Sequence, residues 1–159
     1  MIECASASDV ARLLGRVRSR ADKYSDLLLC SPFMDDETIS LVGLVAEAAS
    51  SARCGLEIIT THQAVERVKA RLAPLVDRQI RLIGCSRLHA KFYVAIGRSE
   101  EHTEAIITSA NLTAAGLTSN IELGVRIVAT TPNGRAMLHH LDRFARRLAH
   151  NRRSTWRNH

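Results

Sequence analysis

From Asp26 to Gly84 the chain alternates between two hydrophobic periods, and that alternation limits the folds open to it. Asp26–Cys30 contains Leu27-Leu28-Leu29 and closes on Ser31-Pro32, while Leu56–Thr60 and Ile80–Gly84 are apolar runs of similar length. Each reads as a buried strand. Between them lie stretches at helical spacing. Asp35-Asp36-Glu37 supplies an acidic first turn to a helix carrying Ile39, Val42, Val45 and Ala46 as far as about Ala52. Thr60 or Thr61 caps another, which ends near Pro74. An earlier helix, capped by Ser8-Asp9, runs to about Lys23 on a stripe of Val10, Leu13, Leu14 and Val17. After Gly84 the alternation stops. Leu88–Ile96, Glu104–Thr108 and Ile121–Ala129 are strand-like with little helix between them, the first two joined as a hairpin through Gly97–Thr103. Leu112–Leu117 has room for one helical turn, and Pro132 opens a final helix with Met137, Leu138, Leu141, Phe144, Ala145 and Leu148 on its apolar side. Strand–helix alternation followed by consecutive strands predicts an α/β domain with a mixed β-sheet, flanked by helices on both faces.

The 159 residues suit one domain with a substantial core, predicted over residues 1–150, followed by a basic, flexible tail at 151–159. Trp156 among arginines reads as a flexible end, or as the point where a longer protein is interrupted. No run of 18 apolar residues is present, and Met1-Ile2-Glu3-Cys4-Ala5-Ser6 has neither a basic segment nor an apolar core of the signal-peptide kind. A cytoplasmic location with no membrane anchor is expected. The four cysteines, at positions 4, 30, 54 and 85, show no C-x-x-C spacing and read as reduced, partly buried thiols. The net charge of +6 is unevenly placed. Arg135, Arg143, Arg146, Arg147, Arg152, Arg153 and Arg157 face a single acid, Asp142, from residue 135 onward, so the first 134 residues balance. A neutral body with a cationic C-terminus fits a polyanionic partner. Arg143, Arg146, Arg147, Arg152 and Arg153 are therefore candidate nucleic-acid contacts; the bland alternative is a solvated helix face.

The chemistry-bearing side chains concentrate between His89 and Glu122. A neutral imidazole is both a nucleophile and a proton carrier near neutral pH. If His89 and Lys91 lie on one strand, their two-residue spacing puts them on one face, with the ammonium beside the ring. Ser109 and Asn111 share the same spacing and can donate to an oxyanion. Glu122 can accept from the second ring nitrogen of His89 and so fix its tautomer. Such a set suits attack on a phosphorus centre bearing negative oxygens. Each residue also has a structural reading: a hydrogen-bonded core histidine, a lysine at a sheet edge, a turn cap at Ser109-Ala110-Asn111, an exposed strand glutamate.

His89-Ala90-Lys91 followed by Thr108-Ser109-Ala110-Asn111 resembles the signature of the phospholipase D superfamily, the HKD motif, in which H-x-K precedes a G-S-x-N-like element. The 11-residue interval from Asn111 to Glu122 is similar to that of the family's small nucleases, and Asn120 fits as well. The resemblance covers residues 88–125 closely and the preceding strands more loosely. It departs in two places: the family's usual aspartate falls near Ile96, and the glycine before the motif serine is Thr108. Both departures point toward the nuclease branch that includes metal-independent restriction endonucleases. The resemblance implies a phospholipase D-like catalytic domain acting as a phosphodiesterase, with no cofactor and no metal. Members need two such motifs. A chain with one implies a homodimer in which one His89 attacks the phosphodiester and the other protonates the leaving oxygen. Lys91, Ser109 and Asn111 would then hold the non-bridging oxygens and Glu122 would orient the imidazole. The expected substrate is nucleic acid, DNA favoured over RNA, read with weak sequence specificity, in a restriction or phage-defence setting.

Two alternatives come from other classes: an inactive nucleic-acid-binding module and a lipid phosphodiesterase of the same superfamily. Metal chemistry has weaker support. Glu66-Arg67-Val68-Lys69 imitates an E-x-K element but sits in a helical pattern, and Cys85, His89 and His102 have no recognised zinc spacing.

Overall fold

The structure, a computed structural model, describes residues 1–75 and 80–150. The basic tail, with Arg152, Arg153 and Trp156, lies outside the described residues. Seven strands form one mixed sheet: β1 (Ile2–Ala5), β2 (Tyr24–Cys30), β3 (Gly55–Thr60), β4 (Ile80–Gly84), β5 (Phe92–Gly97), β6 (Glu104–Thr108) and β7 (Gly124–Val128). Among the described residues five α-helices accompany them: α1 (Ala7–Ser19), α2 (Asp36–Ser51), α3 (His62–Leu72), α4 (Ala114–Thr118) and α5 (Pro132–His150). The strand order is β1-β7-β6-β5-β2-β3-β4. β2, β3 and β4 run parallel, whereas β5, β6, β7 and β1 add antiparallel neighbours from β2 outward.

The alternating half folds parallel because each of its connections is a helix, long enough to return the chain to the same end of the sheet. In the later half β5 and β6 are joined by a short connection and pair antiparallel, as do β6 with β7 and β7 with β1. One sheet face packs beneath α1 to α4 through Val10, Leu13, Leu14, Val17, Ile39, Val42, Val45, Val65, Val68 and Leu117. α5 covers the other face, placing Leu138 and Ala145 over Cys30, Ile59, Ile83, Phe92, Val94, Ala105 and Ile127. The expected mixed sheet with helices on both faces is the observed one, and the single-helix cover makes the second face the thinner layer. Among the described residues no helix is long and apolar enough to cross a membrane.

Several boundaries differ from the sequence reading. α1 starts two residues earlier than expected. Ser6 is its cap, and the Asp9 carboxylate accepts from Ser6 N at 2.7 Å and Ser6 Oγ at 2.9 Å, closing a capping box. It ends at Ser19, and Ala21–Lys23 forms a separate 3₁₀ turn. The hairpin strand expected over Leu88–Ile96 begins only at Phe92. Its partner β2 ends at Cys30, which pairs with Phe92, so an extension would set Ala90 against Pro32, which has no N–H to donate. The strand expected from Ile121 begins at Gly124. There β7 closes on β6 so tightly that a Cβ on Gly124 would stand 2.5 Å from Ile107 O, and only glycine admits that approach.

A buried ion cluster ties the antiparallel half to α1. Glu104, only 5% exposed, accepts from Arg16 Nη2 at 2.5 Å and Arg126 Nε at 2.6 Å, and Arg126 Nη1 reaches Glu3 at 3.3 Å. Both guanidiniums keep about a third of their side-chain surface in solvent, which limits what is lost when the carboxylate goes. Glu104→Ala is expected to lower unfolding free energy by roughly 1–3 kcal/mol in urea titration, because two guanidiniums lose their shared partner. Arg12→Ala, which removes an exposed pair with Asp9, should change it by less than about 0.5 kcal/mol.

Candidate active site

All five candidate catalytic residues sit on loops at one end of the sheet, at the carboxyl ends of β2, β3, β4 and β6 and the amino ends of β5 and β7. In open sheets with parallel strands this is the end where ligands bind. His89 and Lys91 precede β5, and their proximity does not come from strand alternation. A turn at Ser86-Arg87 delivers His89, an exposed residue, and Lys91 Nζ donates back to His89 O at 3.2 Å. Lys91 also meets β6, its carbonyl accepting Thr108 N at 3.2 Å.

Ser109, Asn111 and Glu122 come from the β6 end, the following loop and the approach to β7. Ser109 N donates to Leu123 O at 3.0 Å, which sets Ser109 and Glu122 side by side. Ser109 Oγ donates to Glu122 Oε2, and Asn120 Nδ2 donates to Glu122 Oε1 at 3.2 Å. The carboxylate is thus taken up by Ser109 and Asn120; among the described residues no hydrogen bond joins it to the His89 ring. This differs from the sequence expectation in two roles, because the Ser109 proton is directed at Glu122 and not outward. The cause is the β6–β7 pairing, which neither residue's own neighbourhood reveals. Asn111 Oδ1 is buried with no hydrogen-bond partner among the described residues. A buried, unpaired amide oxygen is uncommon enough in native proteins to need an explanation.

The loop carrying Asn111 is clamped from the β2–α2 side, a set of residues the sequence reading missed. Ser31, fully buried, accepts Leu112 N at 2.9 Å and donates to Phe33 O at 2.8 Å. Thr38 Oγ1 donates to Leu112 O at 2.5 Å, and Asp35 Oδ2 accepts Ala114 N at 2.7 Å. Tyr93 OH donates to Ala110 O at 3.1 Å; burial pushes its phenol up, so it remains a proton donor. The backbone on both sides of Asn111 is therefore fixed by side chains from the β2–α2 loop, α2 and β5. A buried hydroxyl at Ser31 and an N-cap acid at Asp35 are visible in sequence, but their partners 79 and 81 residues away are not. Cys30 Sγ lies 3.6 Å from Ala90 O, and burial pushes its thiol up, so it stays protonated beside the His89 loop.

Among the described residues no three of His, Cys, Asp and Glu come together as metal ligands. Glu66 and Lys69 lie on α3, as their helical pattern predicts. Arg143 and Arg147 are exposed on α5, and Arg146 is bonded to Asp142 at 2.8 Å.

No family model matches the chain, and no curated protein matches it in sequence. Its likeness is to solved structures. Polyphosphate kinase from Porphyromonas gingivalis aligns at 15% identity and TM-score 0.66, over 99% of this chain and 27% of that one. Nuc from Salmonella typhimurium, a phospholipase D family member, aligns at 17% identity and TM-score 0.54, over 91% of this chain and 94% of that one. TrmBL2, an archaeal chromatin protein with a novel mode of DNA binding, aligns at 11% identity and TM-score 0.53, over 92% of this chain and 52% of that one. The chain thus spans about a quarter of the kinase but nearly all of Nuc. The fold is phospholipase D-like.

The clamp has a measurable pH signature. Burial opposes ionisation of Asp35, but the hydrogen bonds from Thr38 and Ala114 outweigh it and hold the carboxyl below the usual carboxylate range. A lowered folded-state pKa contributes stability that is complete above the unfolded value of about 3.9 and disappears as pH falls through the folded value. Asp35→Asn is expected to be less stable than wild type by about 1 kcal/mol near neutral pH. The gap should narrow steadily below about pH 4, read as urea midpoints across a pH series.

Proposed function

We propose that the chain is a metal-independent phosphodiesterase acting on nucleic acid through a phosphohistidine, at a site shared by two copies. The observation that carries this reading is the gathering of His89, Lys91, Ser109, Asn111 and Glu122 at one end of the sheet. They arrive there from loops up to 33 residues apart in sequence. Buried scaffold groups hold the Asn111 loop from outside, and an unpaired amide oxygen remains within it.

In the proposed reaction His89 attacks the phosphorus, forming a P–N bond as the P–O bond to the leaving group breaks. The His89 of the second copy gives that oxygen a proton. The same histidine then removes a proton from water, which attacks the phosphohistidine and releases His89 with the phosphate product. Lys91 faces the charge that develops on the non-bridging oxygens, and Asn111 supplies a neutral polar contact. Glu122, carried by Ser109 and Asn120, places a negative charge at this end of the sheet. Homodimerisation follows from needing two histidines where one chain brings one. The phospholipase D-like fold and the basic C-terminal segment agree with a phosphate-bearing polymer. DNA is favoured over RNA, and a defence nuclease is the biological role that fits best.

One observation favours a second reading. The fold is shared with a protein described as binding DNA in chromatin, so a non-catalytic DNA-binding module remains the main competitor.

Labelled DNA and RNA, incubated with the full chain in excess EDTA, separate the two. Cleavage should persist in EDTA and fall by on the order of 10³-fold or more in His89→Ala. Sedimentation should give a dimer. Salt-sensitive binding without cleavage would support the binding module, and a strict monomer that cleaves would remove the shared site.

A further inference from the structure

We infer that a cleft beside His89 seats an unpaired nucleobase next to the scissile phosphate, so that this site takes single strands in preference to duplex. The inference rests on the reading of the site as a nucleic-acid phosphodiesterase and adds to it a base-binding position. The cleft has a volume of about 420 Å³. One wall is the Cys85–Ala90 turn, ending on His89; the other is the last part of α5, with Phe144 and Leu148.

The Phe144 ring is the central observation. It meets Phe92 in an edge-type contact, with centroids 5.8 Å apart and planes at 62°. Phe92 is buried at 2% exposure, so it anchors the pair, yet Phe144 keeps 37% of its surface in solvent. An aromatic ring fixed from behind and open in front, next to a nucleophile candidate, is what base stacking requires. Leu148, one helical turn on, extends the apolar floor.

One cation lines this slot and a second stands near it on α5. Arg87 is exposed on the turn, with its backbone in the left-handed region at φ 56°, where non-glycine residues are uncommon and concentrate at functional sites. Arg147 stands three residues after Phe144 and one before Leu148, on the adjoining flank of α5. Neither makes an ion pair among the described residues, in contrast to Arg146, whose guanidinium is held by Asp142. An apolar slot with one uncommitted guanidinium on its wall and another nearby on α5 matches a nucleotide, with its base inside and its phosphates at the edge. A base in a duplex has both faces occupied by its neighbours and cannot enter without being flipped. An acyl chain would fill the apolar part but leave both cations without a role.

The test uses the full chain with His89→Ala, so that bound strands stay intact, and measures fluorescence anisotropy at one fixed salt concentration. Three probes of equal length are compared: a single-stranded oligodeoxynucleotide, the same strand made abasic throughout, and its duplex. The ordinary single strand is expected to bind on the order of tenfold more tightly than the abasic one. Adding Phe144→Leu, which keeps the apolar bulk, should erase that advantage, while Phe144→Tyr should preserve it. Arg87→Ala should weaken ordinary and abasic strands alike. Equal binding of ordinary and abasic strands overturns the inference. So does a full base preference in Phe144→Leu, a duplex bound as tightly as the single strand, or Phe144-dependent capture by phosphatidylglycerol vesicles in place of oligonucleotide. Wild-type cleavage in EDTA without base preference would overturn the base seat alone. Base preference without His89-dependent cleavage would overturn the catalytic reading and leave the seat in place.

Discussion

β2 is the strand on which both halves of the molecule depend. It pairs parallel with β3 on one side and antiparallel with β5 on the other, so the alternating and consecutive halves of the chain meet along its seven residues. Leu27 and Leu29 face one core, Leu28 and Cys30 the other. A strand buried on both faces reads as a continuous apolar run, which is why Leu27-Leu28-Leu29 shows no alternation. Where β2 stops, its continuation does different work. Ser31, Asp35 and Thr38 turn from the sheet to the loop after β6 and hold the backbone that follows Asn111, while Tyr93 holds Ala110 before it. The same junction that joins the sheet halves thus joins the β2–α2 loop to the candidate site.

The two faces of the sheet are built differently, and the candidate site takes advantage of the thinner one. Four helices close the first face through an extensive apolar layer. Among the described residues the second has α5 alone, and its residues from Leu138 to Ala149 reach only part of the sheet. A partial cover leaves clefts along its edges. One, about 490 Å³, lies toward Glu57 and Arg81, where the two side chains pair at 2.7 Å and burial pushes the Glu57 carboxyl up. Another lies toward the end of the helix, against the His89 turn, and there Arg87 makes no ion pair among the described residues. The two clefts differ in charge commitment more than in volume.

The roles of Ser109 and Glu122 illustrate how tertiary contacts revise a motif. Read along the chain, Ser109 is a donor to an oxyanion and Glu122 a partner for His89. In the fold, β6 and β7 end side by side, the hydroxyl donates to the carboxylate, and Asn120 completes the set. The pairing fixes the carboxylate's position at this end of the sheet.

By itself the sequence determined the layered α/β class, six of the seven described strands and the residue types gathered between His89 and Glu122; it missed β1, which is defined by its antiparallel pairing with β7. Those features follow from local periodicity: runs of alternating strand and helix length, then strands joined by short turns, leave few arrangements that bury the apolar faces. The sequence also set the limits of β4 and β6, because Gly84 and Thr108 close short, mainly apolar runs. Only the tertiary structure decided where β5 and β7 begin, since both limits depend on partners: Pro32 opposite Ala90, and the close approach of Gly124 to Ile107. It alone decided the Ser31–Asp35–Thr38 clamp, the partner of Glu122 and the meeting of Phe144 with the His89 turn. Each is a contact between segments far apart in the chain, and no local pattern records which distant donor a buried acceptor will receive.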